Sequence, residues 1–252
     1  MSVPRAPIVA TGLIAAWEVL VRLADMPHYI LPAPSRVLAE FVERGDVLLL
    51  HALWTAAEIV LGLSAGLALG ALTALTMVRF AAARRWGLPL LVVSQAIPVF
   101  AIAPLLVLWL GYGMASKVAM AVLVIYFPVA SAAYDGLRRT DPGYLDLAKV
   151  MGATSSQALL RIRLPAALPA FAAGARVAAS VAPIGAVIGE WVGASSGLGY
   201  LMMQQLARGQ TPLAFAALVV LATMAVGLYF AVDAAMNRLT SWQPVLDEET
   251  RS

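Results

Sequence analysis

The sequence predicts an all-α polytopic membrane protein with about six transmembrane helices, and three observations carry that reading. Hydrophobic residues make up 62% of the 252-residue chain and charged residues only 12%, whereas soluble globular chains hold about 45–50% and about 25%. The mean hydropathy is +0.85. The apolar residues gather in blocks long enough to cross a hydrocarbon core as a helix, which takes about 20 residues. The blocks are continuous rather than alternating, which argues against a barrel. No composition break divides the chain, so residues 1–252 read as a single transmembrane domain. The chain has no cysteine, which excludes disulfides, thiolate catalysis and cysteine metal sites. Its net charge of +3 fits basic membrane loops and does not call for nucleic acid as a partner.

In order, the first block is Pro7–Ala24, read as an uncleaved helix because its charged start is thin and no small-residue cleavage site follows. "DMPHYILPAPSRVLAEFVERGD" (Asp25–Asp46) is proline-rich and then amphipathic, an interfacial segment. The second block, Leu48–Val78, carries Gly62, Gly66 and Gly70 on one helix face, where another helix can approach closely. The third, Leu88–Leu110, is broken by Pro89, Pro98 and Pro104. The fourth runs from Lys117 to Ala133, the fifth from Ala166 to Ile188 and the sixth from Leu213 to Ala235.

Six spans put both ends on one side. Eleven of the seventeen Lys and Arg fall there: Arg5, Arg79, Arg84, Arg85, Arg138, Arg139, Lys149, Arg161, Arg163, Arg238 and Arg251. The opposite side has Arg22, Arg36, Arg44, Lys117 and Arg208, and Arg176 lies within a span. The positive-inside rule makes the first side cytoplasmic, with both termini inside and a cytoplasmic loop at about residues 138–165.

That loop is too polar to span and too patterned to be slack. Asp141-Pro142 is a helix start, an N-cap followed by proline at the first helical position. Tyr144, Leu147, Ala148 and Met151 then form one apolar face. Gly152 ends the helix in a left-handed conformation. Thr154 with Gln157 makes a capping box for a second short helix, and Leu164-Pro165 closes the unit and launches the fifth span. The physics leaves two readings open, a helix resting on the membrane interface and a docking element.

The spacing of Asp146, Ala148, Gly152, Ile162 and Leu164-Pro165 resembles the "EAA" loop of ABC importer permeases, with Asp146 for the family's Glu and Leu147 for its first Ala. "LPAPSRVL" (Leu31–Leu38), "IPVFAIAPLLVLWLGYGMASK" (Ile97–Lys117), "YFPVASAAYDGL" (Tyr126–Leu137) and "GEWVGASSGLGYLM" (Gly189–Met202) are similar to the nitrate/sulfonate/taurine branch, in the same order. The resemblance implies the type I (MetI-like) fold in a bacterial inner membrane. It implies an ATPase-coupling helix built from Asp146, Ala148, Gly152, Ala153, Ile162, Leu164 and Pro165. It also implies an ABC ATPase dimer as partner, a periplasmic or lipid-anchored solute-binding protein, and a second permease copy, most simply a homodimer. No G-x-x-x-x-G-K-[ST] occurs, so ATP and Mg belong to the partner. No cofactor is implied in this chain, which is read as a transport subunit and not an enzyme.

Intramembrane charges usually face a bundle interior or a cavity. Glu18 sits near a span end. Glu58 lies about ten residues into its block, where pairing, protonation or a subunit contact are all open. Arg176 is a structural pair or a path-lining residue. Glu190 and Trp191 end the fifth span near the expected gate, with Trp191 equally an interfacial aromatic. Pro98 and Pro104 free backbone carbonyls beside a cavity or a packed neighbour. Tyr126, with Phe127 and Tyr134, is a further lining candidate. His28 and His51 lack carboxylate company and make no metal site. Ser195-Ser196 is no nucleophile elbow.

For the solute, "GEWVGASSGLGYLM" looks most like permeases linked to hydroxymethylpyrimidine, a thiamine precursor. The lone intraspan Arg176 fits an aromatic, weakly charged solute better than a sulfonate, taurine or nitrate anion. A proton-driven transporter using Glu58 is the rival class, against which stand the loop and the lack of an internal repeat.

Overall fold

The computed structural model describes residues 5–242, with side chains from Ile8 onward. Arg251, counted above with the basic residues, lies outside them, as does the Arg5 side chain. Every regular element among the described residues is helical. The helices are α1 (Arg5–Leu23), α2 (Pro34–Glu43), α3 (Gly45–Arg79), α4 (Ala81–Ala96), α5 (Val99–Leu110), α6 (Met114–Arg138), α7 (Pro142–Val150), α8 (Ser155–Ala158), α9 (Leu164–Gly193), α10 (Leu198–Ala207) and α11 (Thr211–Leu239). Four helical runs are long and apolar enough to cross a membrane: α3, α6, the run Ser155–Gly193, and α11. Helices α4 and α5 make a fifth if the pair, bent by 101°, counts as one span. Helix α1 accounts for the first expected block. Its 19 residues rise about 28 Å at 1.5 Å per residue. It leaves Ile8, Leu13, Ile14 and Leu20 more than half exposed and sets Trp17 against Phe215 of α11 at 5.8 Å between ring centroids.

Small residues decide the packing. The core is α9 laid between α6, α3 and α11. Ala172, Ala175, Ala178, Ala179, Ala182 and Ala186 of α9 are all buried, at three- and four-residue steps that put them on one side of the helix. The glycine stripe of α3 does what its spacing predicts. A Cβ at Gly66 would lie 2.6 Å from Cγ2 of Ile125, and one at Gly70 would lie 2.7 Å from Cγ1 of Val129. Only glycine lets α3 and α6 approach this closely.

The helices outrun their apolar blocks, because hydropathy marks the oily centre while the hydrogen-bonded helix continues into charged ends. Two expectations are made specific and one is corrected. The proline-broken third block is two helices meeting at Pro98, which precedes α5 in extended conformation. The amphipathic segment is α2, and it buries Val37 in a cluster with Leu213 and Ala217 of α11, so it packs on protein. Leu164-Pro165 does not close the loop unit. The second short helix passes through a π turn at Leu159–Arg163 directly into α9. Proline lacks an N–H and cannot complete an α-helical turn behind it, and the widened turn sits just ahead of it.

Candidate functional site

Two sites lie at opposite ends of α9. The first is the hairpin of α7 and α8. Asp141 caps α7 by accepting from Gly143 N–H at 2.7 Å. The helix stops at Gly152, whose φ is +79°, where Gly152 N–H donates to Lys149 O and Ala153 N–H to Ala148 O, both at 2.9 Å. A left-handed residue here favours glycine. The capping box forms as expected, with Thr154 N–H to Gln157 Oε1 at 2.8 Å and Gln157 N–H to Thr154 Oγ1 at 3.3 Å. Asp146 pairs with Lys149 at the surface, at 2.9 Å.

The hairpin's apolar face does not fold inward. Ala148 is buried, but Tyr144, Leu147, Val150 and Met151 are 65%, 58%, 85% and 78% exposed. Tyr144, Leu147 and Met151 border a groove that also takes in Gly152, Ala153 and Ile162. Arg161 lines it as well, while Lys149 and Arg163 line a second groove that shares Ala153. A locally capped, oily knob with cations beside it is built to press into something.

The second site is a buried clasp at the far end of α9. Glu190 is 1% exposed. One carboxylate oxygen accepts from Thr55 Oγ1 at 2.6 Å. The other accepts from Gly199 N–H at 2.5 Å and Tyr200 N–H at 3.3 Å. Leu198 N–H donates to Thr55 Oγ1 at 2.8 Å, and Gly197 N–H to His51 Nδ1 at 3.0 Å. The glycines of "GLG" make room: a Cβ at Gly197 would strike the Glu190 carboxyl carbon, and one at Gly199 would lie 2.8 Å from its Oε2. Glu58, 3% exposed, lies beside Glu190. Lys117, 1% exposed, donates through Nζ to Tyr112 O and Gly193 O.

Sequence reasoning found Glu58 and Glu190. It missed Thr55 and the structural use of His51. It placed Lys117 on the outer surface, whereas α6 begins three residues earlier and buries it. Arg176 is a structural pair: Nε donates to Asp233 Oδ1 and Nη2 to Asn237 Oδ1, both at 2.6 Å, tying α9 to α11. Glu18 holds Arg22 and the start of α2, accepting from Ser35 N–H at 3.0 Å. Tyr126 is packed between helices, its hydroxyl donating to Thr73 Oγ1 at 3.1 Å, with Phe127 and Tyr134 in the same cluster. Trp191 is 42% exposed and lines an apolar groove with Phe100, Pro183, Ile184 and Leu218. Pro98 forms the α4–α5 bend, and Pro104 lies within α5. The structure therefore gathers Glu190 with Glu58, and leaves Arg176, Tyr126 and the two prolines apart from them.

Residues 66–242, which include the hairpin, α9 and α10, match the model of the family described as "binding-protein-dependent transport system inner membrane component". The chain belongs to this family. It is thus an inner-membrane permease, a transport subunit of the ABC importer class. The permease is 52% identical over 233 residues to a probable ABC transporter permease protein of Haemophilus influenzae, covering 92% of this chain and 95% of that one. It is 38% identical over 232 residues to the formylaminopyrimidine transport permease protein ThiX of Halalkalibacterium halodurans, covering 92% of each. Its fold is similar to a chain of the MetNI methionine ABC transporter in an inward-facing conformation. The TM-score is 0.60 at 22% identity, over 75% of this chain and 93% of that one. This bears out the expected type I permease fold.

Proposed function

We propose that this permease forms the membrane path of an ATP-driven importer for a small heteroaromatic solute of the pyrimidine thiamine-precursor class. The exposed apolar face of the hairpin around Gly152 carries the ATP-driven part. Eight of the chain's basic residues, from Arg79 to Arg163, fall in the two loops at this end, which argues for the cytoplasm and for both termini inside. There an ATPase dimer, holding ATP and Mg, receives the knob in a cleft. Asp146, Ala148, Gly152, Ala153, Ile162, Leu164 and Pro165 form or support the contact. Two permease copies stand side by side, and a binding protein delivers solute at the opposite face. ATP closes the ATPase dimer and draws the two hairpins together. Each hairpin continues unbroken into α9, so its displacement is transmitted along the core helix. The contact must differ between the two states, or ATP could bias neither.

The solute class is supported by the ThiX relative and by Arg176. That arginine is neutralised by Asp233 and is not free to attract an anion. The test is uptake of labelled formylaminopyrimidine, hydroxymethylpyrimidine and taurine into vesicles holding the permease with its co-expressed ATPase and binding protein. ATP-dependent uptake of either pyrimidine, uncompeted by taurine, is expected. Uptake of taurine alone would overturn the solute reading. Uptake driven by a proton gradient without ATP would overturn the importer mechanism.

A further inference from the structure

A helix leaves its first N–H groups without intrahelical partners. At the start of α10, four consecutive amides, those of residues 197–200, donate to side chains from other elements: His51 and Thr55 of α3, and Glu190 of α9. No α10 side chain takes part. The start of α10 is held entirely from outside.

The charges around this clasp do not balance as formal ions. Glu58 and His51 face it from α3, Glu190 from α9 and Lys117 from α6, while α10 contributes Tyr200. Glu58, Glu190 and Lys117 are 3%, 1% and 1% exposed. Lys117 makes no ion pair within 4.0 Å of either carboxylate among the described residues, donating to backbone carbonyls instead. Two carboxylates and one ammonium leave a buried negative charge, which is costly. Two carboxylates side by side also repel. A single proton meets both needs. Glu190 already accepts from three donors, so it is the carboxylate and Glu58 the acid. Glu58 Oε2, buried without a partner among the described residues, is tolerable as the carbonyl oxygen of a neutral acid and poor as a carboxylate oxygen. His51 accepts at Nδ1, so its ring is neutral.

We propose that Glu190 is a positioning residue for transport: with one proton held on Glu58, it latches the first turn of α10 to α3 and α9 at the end of the bundle remote from the hairpin. Helix α10 then travels with α9 when the hairpin moves, because separation would strand four amides. The inference rests on the ATP-coupled reading only for its uptake assay.

The experiment compares Glu58→Gln and Glu190→Gln in the permease purified with its ATPase. A Gln at 58 still donates where the acid did, so uptake stays within about twofold of wild type. A Gln at 190 loses the charge, and with its C=O kept on the Gly199 and Tyr200 amides its NH2 faces the Thr55 hydroxyl and the Glu58 acid that had donated to the carboxylate, lowering uptake about tenfold or more. Infrared spectra at neutral pH show a protonated-carboxyl C=O band in wild type that Glu58→Gln removes. Hydrogen exchange at residues 197–200 is slow in wild type and Glu58→Gln and fast in Glu190→Gln. A wild type without the band, or equal damage from the two variants, overturns the proposal. If no preparation transports with ATP, the functional reading fails, while the infrared and exchange results still decide this one.

Discussion

The two ends of α9 solve opposite problems. At the hairpin end, every polar device is local and surface-exposed. Asp141 caps Gly143, Thr154 and Gln157 cap each other, Gly152 turns the chain, and the apolar side chains are left outside. At the α10 end, the polar devices converge on the buried Glu190 carboxylate, and those that tie in α3 are long-range. Glu190 reaches Thr55 across 135 positions of sequence, and His51 reaches Gly197 across 146. One end is a rigid part presented to another molecule. The other is a joint sealed within this one. The permease carries motion between them on a helix whose packed face is mostly alanine, so α9 is close enough to α6 to move as one body with it.

The comparison is broken most severely at the joint. Replacing Glu190 with Leu strands the Thr55 hydroxyl, the Gly199 and Tyr200 amides and the Glu58 acid in a buried site. The expected loss is about 3–5 kcal/mol, read as a collapse of the melting temperature in detergent. Gly66→Leu comes next. Its side chain would be driven into Ile125, and overpacking of this kind costs about 1–3 kcal/mol, again read by melting. At the hairpin the expected pattern reverses, with small stability effects and large functional ones. Gly152→Arg forces a side chain into a left-handed position at about 1–2 kcal/mol, yet nothing lies within 4 Å of an added Cβ. The variant should fold, insert and lose co-purification with the ATPase. Thr154→Ala removes one cap at about 1 kcal/mol and should lower ATP-driven uptake with melting almost unchanged. A hairpin variant that melts the bundle, or a Glu190→Leu variant that spares it, would erase the distinction.

The same contrast explains what was legible in the sequence. Caps, turns and helix faces act over three or four residues, so the hairpin could be read residue by residue, down to the capping box. Span centres were legible because hydropathy is a local average. The glycine stripe was legible because its spacing alone puts Gly62, Gly66 and Gly70 on one face. The clasp was not, since nothing local says that Thr55 will meet Glu190. Lys117 was misplaced for a related reason. A lysine at a span edge ordinarily faces water, and only the fold supplies the carbonyls of Tyr112 and Gly193. Arg176 could be recognised as needing a partner, but not that Asp233 and Asn237, a helix away, would provide it. The bend at Pro98 could be expected as a break, but not with its angle, which neighbouring helices set.

The most direct test of the central claim uses the absence of native cysteine. A single Met151→Cys is placed on the exposed face of the hairpin and labelled with a membrane-impermeant maleimide in inside-out vesicles, with and without the ATPase subunit. The account predicts rapid labelling of the permease alone, strong protection when the ATPase is present, and loss of that protection when Gly152→Arg is added. Equal labelling with and without the ATPase would contradict it, because the hairpin would then be a free surface and not the seat of an ATP-driven partner.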